Sequence, residues 1–415
     1  MVDAPDRRGE STRREYLTYG GTAIGGALLA GCLGDGDDGE RSGDSTTATP
    51  DPGETTDPAV TETEGDDVES GPYTVSLSPT GAVTFDSPPE SVFTRLTHHA
   101  GMAFALGRGD DVNAMHAPDY YHALWNQFTP RLPGVSVDWQ GLYSSWQPDK
   151  ETLFELDSDV HLADPAWLVQ LGNWGRDDLD EIAENVGPWF GNSLSDRHQS
   201  PPAGWEYEYY SLWEQFGIVA DAFRERERYE ALATVHDELL ARIERGVQSV
   251  DEQPTAAMAL PQDVDQIYVY KVNDPGFLTA HTRPFEVGDA FGDEFASGDA
   301  VDIEGLLAAD PDVLFGVGGM HPDTDMAAVR ENLLDHPVGR ELTAVQDDRV
   351  HAQGARYQGP VLNLFQLEMT AKQLYPDEFG EWPRYASGPY PELPAEAQLF
   401  DRERVASIVR GEFEG

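Results

Sequence analysis

RERERYEALATVHDELLARIERGVQSV, residues 224–250, is a helical pattern on which the reading of the whole chain turns. Leu232, Val235, Leu239, Ile243, Val247 and Val250 recur at steps of three and four, which sets one apolar stripe on one face. No proline interrupts the run and Pro254 follows it, so the pattern predicts a single helix of about 35–40 Å at 1.5 Å per residue.

A similar twelve-residue unit stands on each side of this helix: DKETLFELDSDV at 149–160 and DIEGLLAADPDV at 302–313. In register, Asp149, Glu151, Leu153, Asp157, Asp159 and Val160 match Asp302, Glu304, Leu306, Asp310, Asp312 and Val313. In each unit an aspartate is placed to cap a helix, an acid follows in the first turn, and leucines supply a buried face. Asp-Ser-Asp or Asp-Pro-Asp then breaks the helix and an apolar strand begins. Two copies of one helix–turn–strand unit predict an α/β fold of two similar lobes, with mostly parallel sheets, joined by the long helix.

The flanking sequence extends that pattern. TVSLSP and AVTFDS read as strands about a Pro-Thr-Gly turn, and SVFTRL, DVNAMH, DVHLAD and a segment near 185–189 alternate with helical stretches. After the long helix, TAAMAL, QIYVYKV, DVLFGVGG and RVHAQG repeat the alternation, and VLNLFQLEMTAKQLYP is a closing helix. The expected N-terminal lobe is 72–223, the linking helix 224–250 and the C-terminal lobe 251–382. A tail at 383–415 carries a short amphipathic helix with Val405, Ile408 and Val409 on one face, expected to pack on the second lobe or the long helix.

Residues 1–32 read as an export address. Arg13 and Arg14 form a twin-arginine pattern ahead of a short, glycine-rich apolar run, too short for the ~20 residues of a spanning helix. The run ends in Leu29-Ala30-Gly31-Cys32, which looks like a lipobox, and Cys32 is the only cysteine in the chain. Disulfides within the chain and cysteine metal sites are thereby excluded. Residues 33–71, rich in Asp, Gly, Glu, Thr, Ser and Pro, bury too little apolar surface to fold and predict an acidic disordered spacer. Together these predict a lipid-anchored protein on the extracellular face of the membrane.

The chain has 76 acidic and 27 basic residues, a formal net charge of −49. Acids scattered throughout suit a high-salt solution in which surface charge is screened, and the source is read as a halophile. No basic stripe exists to neutralise phosphates, so nucleic acid is not an expected partner.

The repeats, the long helix, PPESVFTRL, FALGRGDDVNAM and LTAVQDDRVHAQ together resemble the helical-backbone (class III) substrate-binding proteins of ABC importers, which carry siderophores, haem and cobalamin. The resemblance covers most of the chain from 86 to 379. It implies a carrier and not an enzyme, a ligand held between two lobes that move little, and a dimeric membrane permease as partner. A monomer is expected. It also implies that Glu151 and Glu304, once per lobe, dock on permease arginines, although each is also placed to stabilise a helix N-terminus.

In parallel α/β sheets ligands lie beyond the carboxyl ends of strands. The candidate cleft residues are therefore His98, His99, His116, Tyr120, Tyr143, Trp146, Trp167 and Trp189 in the first lobe. In the second lobe they are Tyr270, Lys271, His321, Arg356 and Tyr357. Aromatic rings with a few polar groups suit a bulky organic chelate, and an arginine suits its negative charge. Core packing is the competing reading of each aromatic residue. No His-x-His or HExxH spacing supports a bare metal, and His98 and His99 on a strand would point apart, so neither a metal site nor a cofactor is expected. The expected cargo is an iron chelate, a ferric siderophore of hydroxamate type, with cobalamin or haem as alternatives. A surface-anchored enzyme on the same frame is the alternative of another class.

Overall fold

The computed structural model describes residues 71–413. Arg13, Arg14, Cys32 and the spacer up to residue 70 lie outside the described residues. The folded part opens with an antiparallel hairpin, β1 (Tyr73–Leu77) and β2 (Gly81–Phe85), in which Tyr73 stands opposite Phe85. Two sheets follow. The first contains β3 (Val92–Thr94), β4 (Val112–Met115), β5 (Tyr143–Ser144) and β6 (Val160–Leu162) in the order β5-β4-β3-β6, all parallel. A parallel bridge between His161 and Trp189 extends its β6 edge.

The second sheet contains β7 (Thr255–Ala259), β8 (Ile267–Tyr270), β9 (Gly288–Asp289), β10 (Ala300–Val301), β11 (Val313–Gly316) and β12 (Val350–Ala352). Its order is β10-β8-β7-β11-β12, with β9 also on β7; β7, β11 and β12 run parallel, and β8 and β10 pair antiparallel. Every residue of β11 is buried, as a strand covered on both faces requires. The fold is thus α/β, with two lobes of mostly parallel sheet.

The two repeat units do the same work in the two lobes. Asp149 caps the Lys150–Leu156 helix by accepting from the Thr152 amide at 2.8 Å, and Asp302 caps Ile303–Ala309 by accepting from the Gly305 amide at 2.8 Å. Both helices end on an aspartate in the left-handed region, Asp157 at φ 45° and Asp310 at φ 39°. The next acid matched between the two units then pins the neighbouring strand. Asp159 accepts from the Ser91 amide beside β3, and Asp312 accepts from the Thr255 amide that starts β7. A short polar side chain tolerates left-handed backbone and bonds locally, which is why aspartate ends both helices.

The long helix runs from Arg226 to Val247, 22 residues or about 33 Å. It is shorter than 224–250, and the reason is local. Arg224 adopts φ 54°, ending a separate helix at Leu212–Ala222, while Val250 lies past the C-cap at Gln248. Leu232, Val235, Leu239, Ile243 and Val247 form the buried stripe. The tail helix, Arg402–Arg410, packs on this helix, with Arg404 bonded to Glu238 at 3.0 Å. The fully buried Pro360–Leu374 helix of the second lobe crosses the Thr97–Ala105 helix of the first. There Gly101 and Gly359 meet backbone to backbone, and a Cβ on either would come within 2.6 Å of the other's Cα.

Candidate ligand-binding site

The carboxyl ends of β3, β4, β6, β11 and β12 bring loops of both lobes face to face. The chain leaving β3 places Arg95 at the centre of the first-lobe wall. Its guanidinium lies 3.0 Å over the Trp167 ring and 4.7 Å from that of Trp146. Arg95 is 1% exposed, and its Nε and Nη2 have no hydrogen-bond partner. Burial lowers its pKa from 12.5 to about 9, opposed by the negative charge of Asp164 and Asp196. A charged, buried donor fork with unused N–H groups is suited to an acceptor brought by a ligand.

Asp164 organises the surrounding loops. Its carboxylate accepts from the amides of Ala166, Trp167, Ser193 and Leu194 and from the Tyr207 hydroxyl at 2.6 Å. It thereby caps the short Pro165–Leu168 helix that carries Trp167. Burial raises its pKa, and these donors oppose the rise. His116 packs against Trp146, 4.5 Å between ring centroids and tilted by 40°, and burial lowers its pKa to about 3.

The second lobe supplies the facing wall. Arg356 lies 4.0 Å over the Tyr270 ring and donates to Nε2 of His198, in the first lobe, at 2.7 Å. Such a bond requires neutral His198, and burial with the nearby Arg356 charge lowers its pKa to about 3. Tyr357 approaches Asp196 at 3.5 Å and accepts at its main-chain oxygen from Thr97 Oγ1 at 2.6 Å. Burial pushes the Asp196 carboxyl up to about 6. His321 stacks on Tyr120 across the interface, 4.0 Å apart and 4° from parallel.

The structure therefore gathers His116, Tyr120, Trp146, Trp167, Tyr270, His321, Arg356 and Tyr357 at the interface. His98 and His99 are also there, but on the first turn of the Thr97–Ala105 helix and not on a strand. Their rings consequently lie 3.9 Å apart, tilted by 36°, instead of pointing to opposite faces. His99 bonds to Gln215 at 2.8 Å, and His98 stacks on Phe277 of the second lobe at 4.4 Å.

Three candidates lie elsewhere. Trp189 is in the first-lobe core, packed against His161 with its indole N–H bonded to the Leu179 carbonyl. Lys271 is tied within its own lobe to the Gly292 carbonyl and to Asp289 at 3.5 Å. Tyr143 packs on the same core as Trp189. Sequence reasoning passed over Arg95, Asp196, His198, Tyr207 and Phe277. Arg95 alone carried a readable signal, a cation directly after an apolar strand. Glu151 and Glu304 are both exposed in the first turn of their helices. Among the described residues no group of three or more His, Cys, Asp or Glu side chains is arranged to hold a metal ion.

Two α/β lobes on one long helix, with aromatic rings and one arginine from each lobe gathered where the lobes meet, define a solute-binding protein of the helical-backbone class. The model of the family described as "Periplasmic binding protein" matches residues 99–357, more than half of the chain, and the chain belongs to that family. The family is extracytoplasmic, and among the described residues no helix is long and apolar enough to cross a membrane.

Solved structures share the fold. One is the iron-uptake ABC transporter substrate-binding protein PiuA from Streptococcus pneumoniae (17% identity, TM-score 0.50, 72% of this chain and 96% of that one). Another is a periplasmic binding protein from Veillonella parvula (13%, TM-score 0.51, 73% and 97%). A third is the siderophore-binding protein BauB, bound to two molecules of acinetobactin and ferric iron (16%, TM-score 0.50, 73% and 98%). Among curated proteins no sequence match is found.

Proposed function

We propose that this protein captures a ferric siderophore outside the cell and hands it to the permease dimer of an ABC importer, tethered to the membrane through a lipid on Cys32. The observation that carries this reading is Arg95, a buried guanidinium between two indole rings with N–H groups left to donate. Arg356 comes from the other lobe, over the Tyr270 ring and bonded to His198. Hydroxamate oxygens around ferric iron carry partial negative charge, and a guanidinium fork on each side would donate to them while the aromatic rings cover the organic backbone. PiuA and BauB, by their names an iron-uptake protein and a siderophore binder, support iron as the cargo metal.

A carrier role also fits the local chemistry. Ser195, beside Asp196, donates to Asn192 Oδ1 at 2.5 Å rather than to a histidine base.

The test is intrinsic fluorescence in high salt, titrated with ferric hydroxamates, cobalamin and haem and corrected for their absorbance. Trp146 and Trp167 sit against Arg95, so occupancy should quench them. Saturable quenching by a ferric hydroxamate at micromolar or lower concentration is expected. Quenching by cobalamin or haem alone would overturn the cargo, and silence from all three would overturn the chelate reading.

A further inference from the structure

The chain beyond residue 383 lies outside the residues 99–357 shared with the family, yet it is bonded to both lobes and to the helix that joins them. It is first fixed on the second lobe, where Arg330 donates to the Tyr385 carbonyl at 2.7 Å and the Met326 amide donates to the Ala386 carbonyl at 3.0 Å. Tyr390 then enters fully buried between the lobes. Its ring lies 5.6 Å from Phe128 of the first lobe and 4.9 Å from Phe365 of the second.

The bonds of Tyr390 divide the same way. Toward the first lobe, its amide donates to the Gln127 carbonyl at 2.7 Å and its carbonyl accepts from Arg131 Nε at 2.6 Å. Toward the second, its hydroxyl donates to Glu368 at 2.7 Å. Glu368 is fully buried, and the tail satisfies it completely, through Tyr390, the Leu399 amide at 2.6 Å and Arg402 at 2.6 Å. Arg242 of the long helix holds the Leu399 carbonyl, and Arg410, in the last turn of the tail helix, returns to the first lobe at the Pro133 carbonyl.

We propose that residues 383–413 form a strap that fixes the separation of the two lobes and limits how far they open. The mechanics follow from where it sits. The lobes touch backbone to backbone at Gly101 and Gly359, which leaves that point free only to pivot. Cleft residues Thr97, His98, Arg356 and Tyr357 precede the two glycines, whereas Phe365 and Glu368 follow Gly359 on the Pro360–Leu374 helix. Nine residues of helix place Glu368 about 13 Å beyond the pivot. Rocking the lobes apart at the cleft therefore presses Phe128 and Phe365 onto the Tyr390 ring or shears the bonds that Arg131 and Arg410 make to the strap. Close-packed aromatic rings resist such compression.

Deleting the strap would uncover Phe128 and Phe365, leave buried Glu368 without its partners and cost the fold, so the test uses point variants that release only its first-lobe attachments. In the full chain with Cys32→Ser, spin labels at Glu184→Cys and Glu331→Cys, both exposed and one per lobe, report the lobe separation without any ligand. The outcome is thus independent of what the cargo proves to be.

A single narrow distance distribution is expected for the parent. Arg131→Met with Arg410→Met should broaden it and populate longer distances, each lost bond raising the open population about threefold to tenfold. Arg131→Met alone should give a smaller broadening. Lys150→Met, which breaks only ion pairs with Asp178 and Glu181 inside the first lobe, should leave it unchanged. An unaltered distribution in the double variant, or equal broadening with Lys150→Met, overturns the strap.

Discussion

Replacing Arg95 with methionine should stabilise the ligand-free protein and at the same time remove its capture of cargo. Burial lowers the guanidinium from 12.5 to about 9. At ~1.36 kcal/mol per pH unit, carrying that charge costs the folded state about 5 kcal/mol. The Trp167 and Trp146 faces are the partners that methionine gives up, about 1–2 kcal/mol for a desolvated cation–π contact. Methionine also keeps most of the apolar stem. The net expectation is a gain of about 3–4 kcal/mol, read as a higher midpoint in urea denaturation at constant high salt.

The same charge leaves a pH signature. The folded-state value lies below the unfolded one, so the penalty is complete below pH 9 and fades as pH rises from about 9 towards 12.5. Relative to the methionine variant, the parent should therefore regain stability between pH 9 and 10.5. Affinity moves the other way. Losing a buried charged donor should weaken ferric siderophore binding by about a hundredfold or more. A variant that loses more than about 2 kcal/mol of stability and binds as before would make Arg95 a packing residue and refute the assignment.

Two further outcomes are expected. Burial holds His116, His198 and His281 at about 3, and His99 and His161 at about 4, well under the usual 6.5. Their unfolded forms take up protons first, so stability is full above pH 6.5 and falls below it, by about 2 kcal/mol per histidine at pH 5. Asp196, raised to about 6, acts in the opposite sense and offsets roughly one of them; urea midpoints at pH 7, 6 and 5 that stay level or rise would refute this balance. On the permease side, Glu151→Ala with Glu304→Ala should leave ligand quenching unchanged and stability within about 2 kcal/mol, since each acid only favours a helix N-terminus. Uptake by cells carrying the cognate permease should drop at least tenfold, and normal uptake would remove docking from these two residues.

The frame could be read because its instructions are local. Asp149 and Asp302 cap the turns that follow them, Asp157 and Asp310 stop those turns, and each bond spans only a few residues. The site is written differently. Arg95 follows an apolar strand, a position the strand-end rule covers, but its burial depends on Trp146 and Trp167, about fifty and seventy residues away. His198 and Tyr207 fall in a stretch with no periodicity, and only Arg356 and Asp164 give them roles.

Trp189 and Lys271 satisfied the same strand-end rule as Arg95, and packing turned them into their own lobes. A readable signal of the frame was also missed. Ser211 and Glu214 form a capping box, the sequence mark of the Leu212–Ala222 helix, and recognising it would have started the long helix later.

The contact of Gly101 with Gly359 bears on how such a carrier can diversify. At this one crossing main chain meets main chain, so the closest approach of the two helices there does not depend on the size of any side chain. The walls of the gap are built from other residues, such as Tyr120, Trp146, Trp167 and Tyr270, that take no part in that contact. Mutations can therefore redraw the walls for a new cargo while the frame keeps its dimensions.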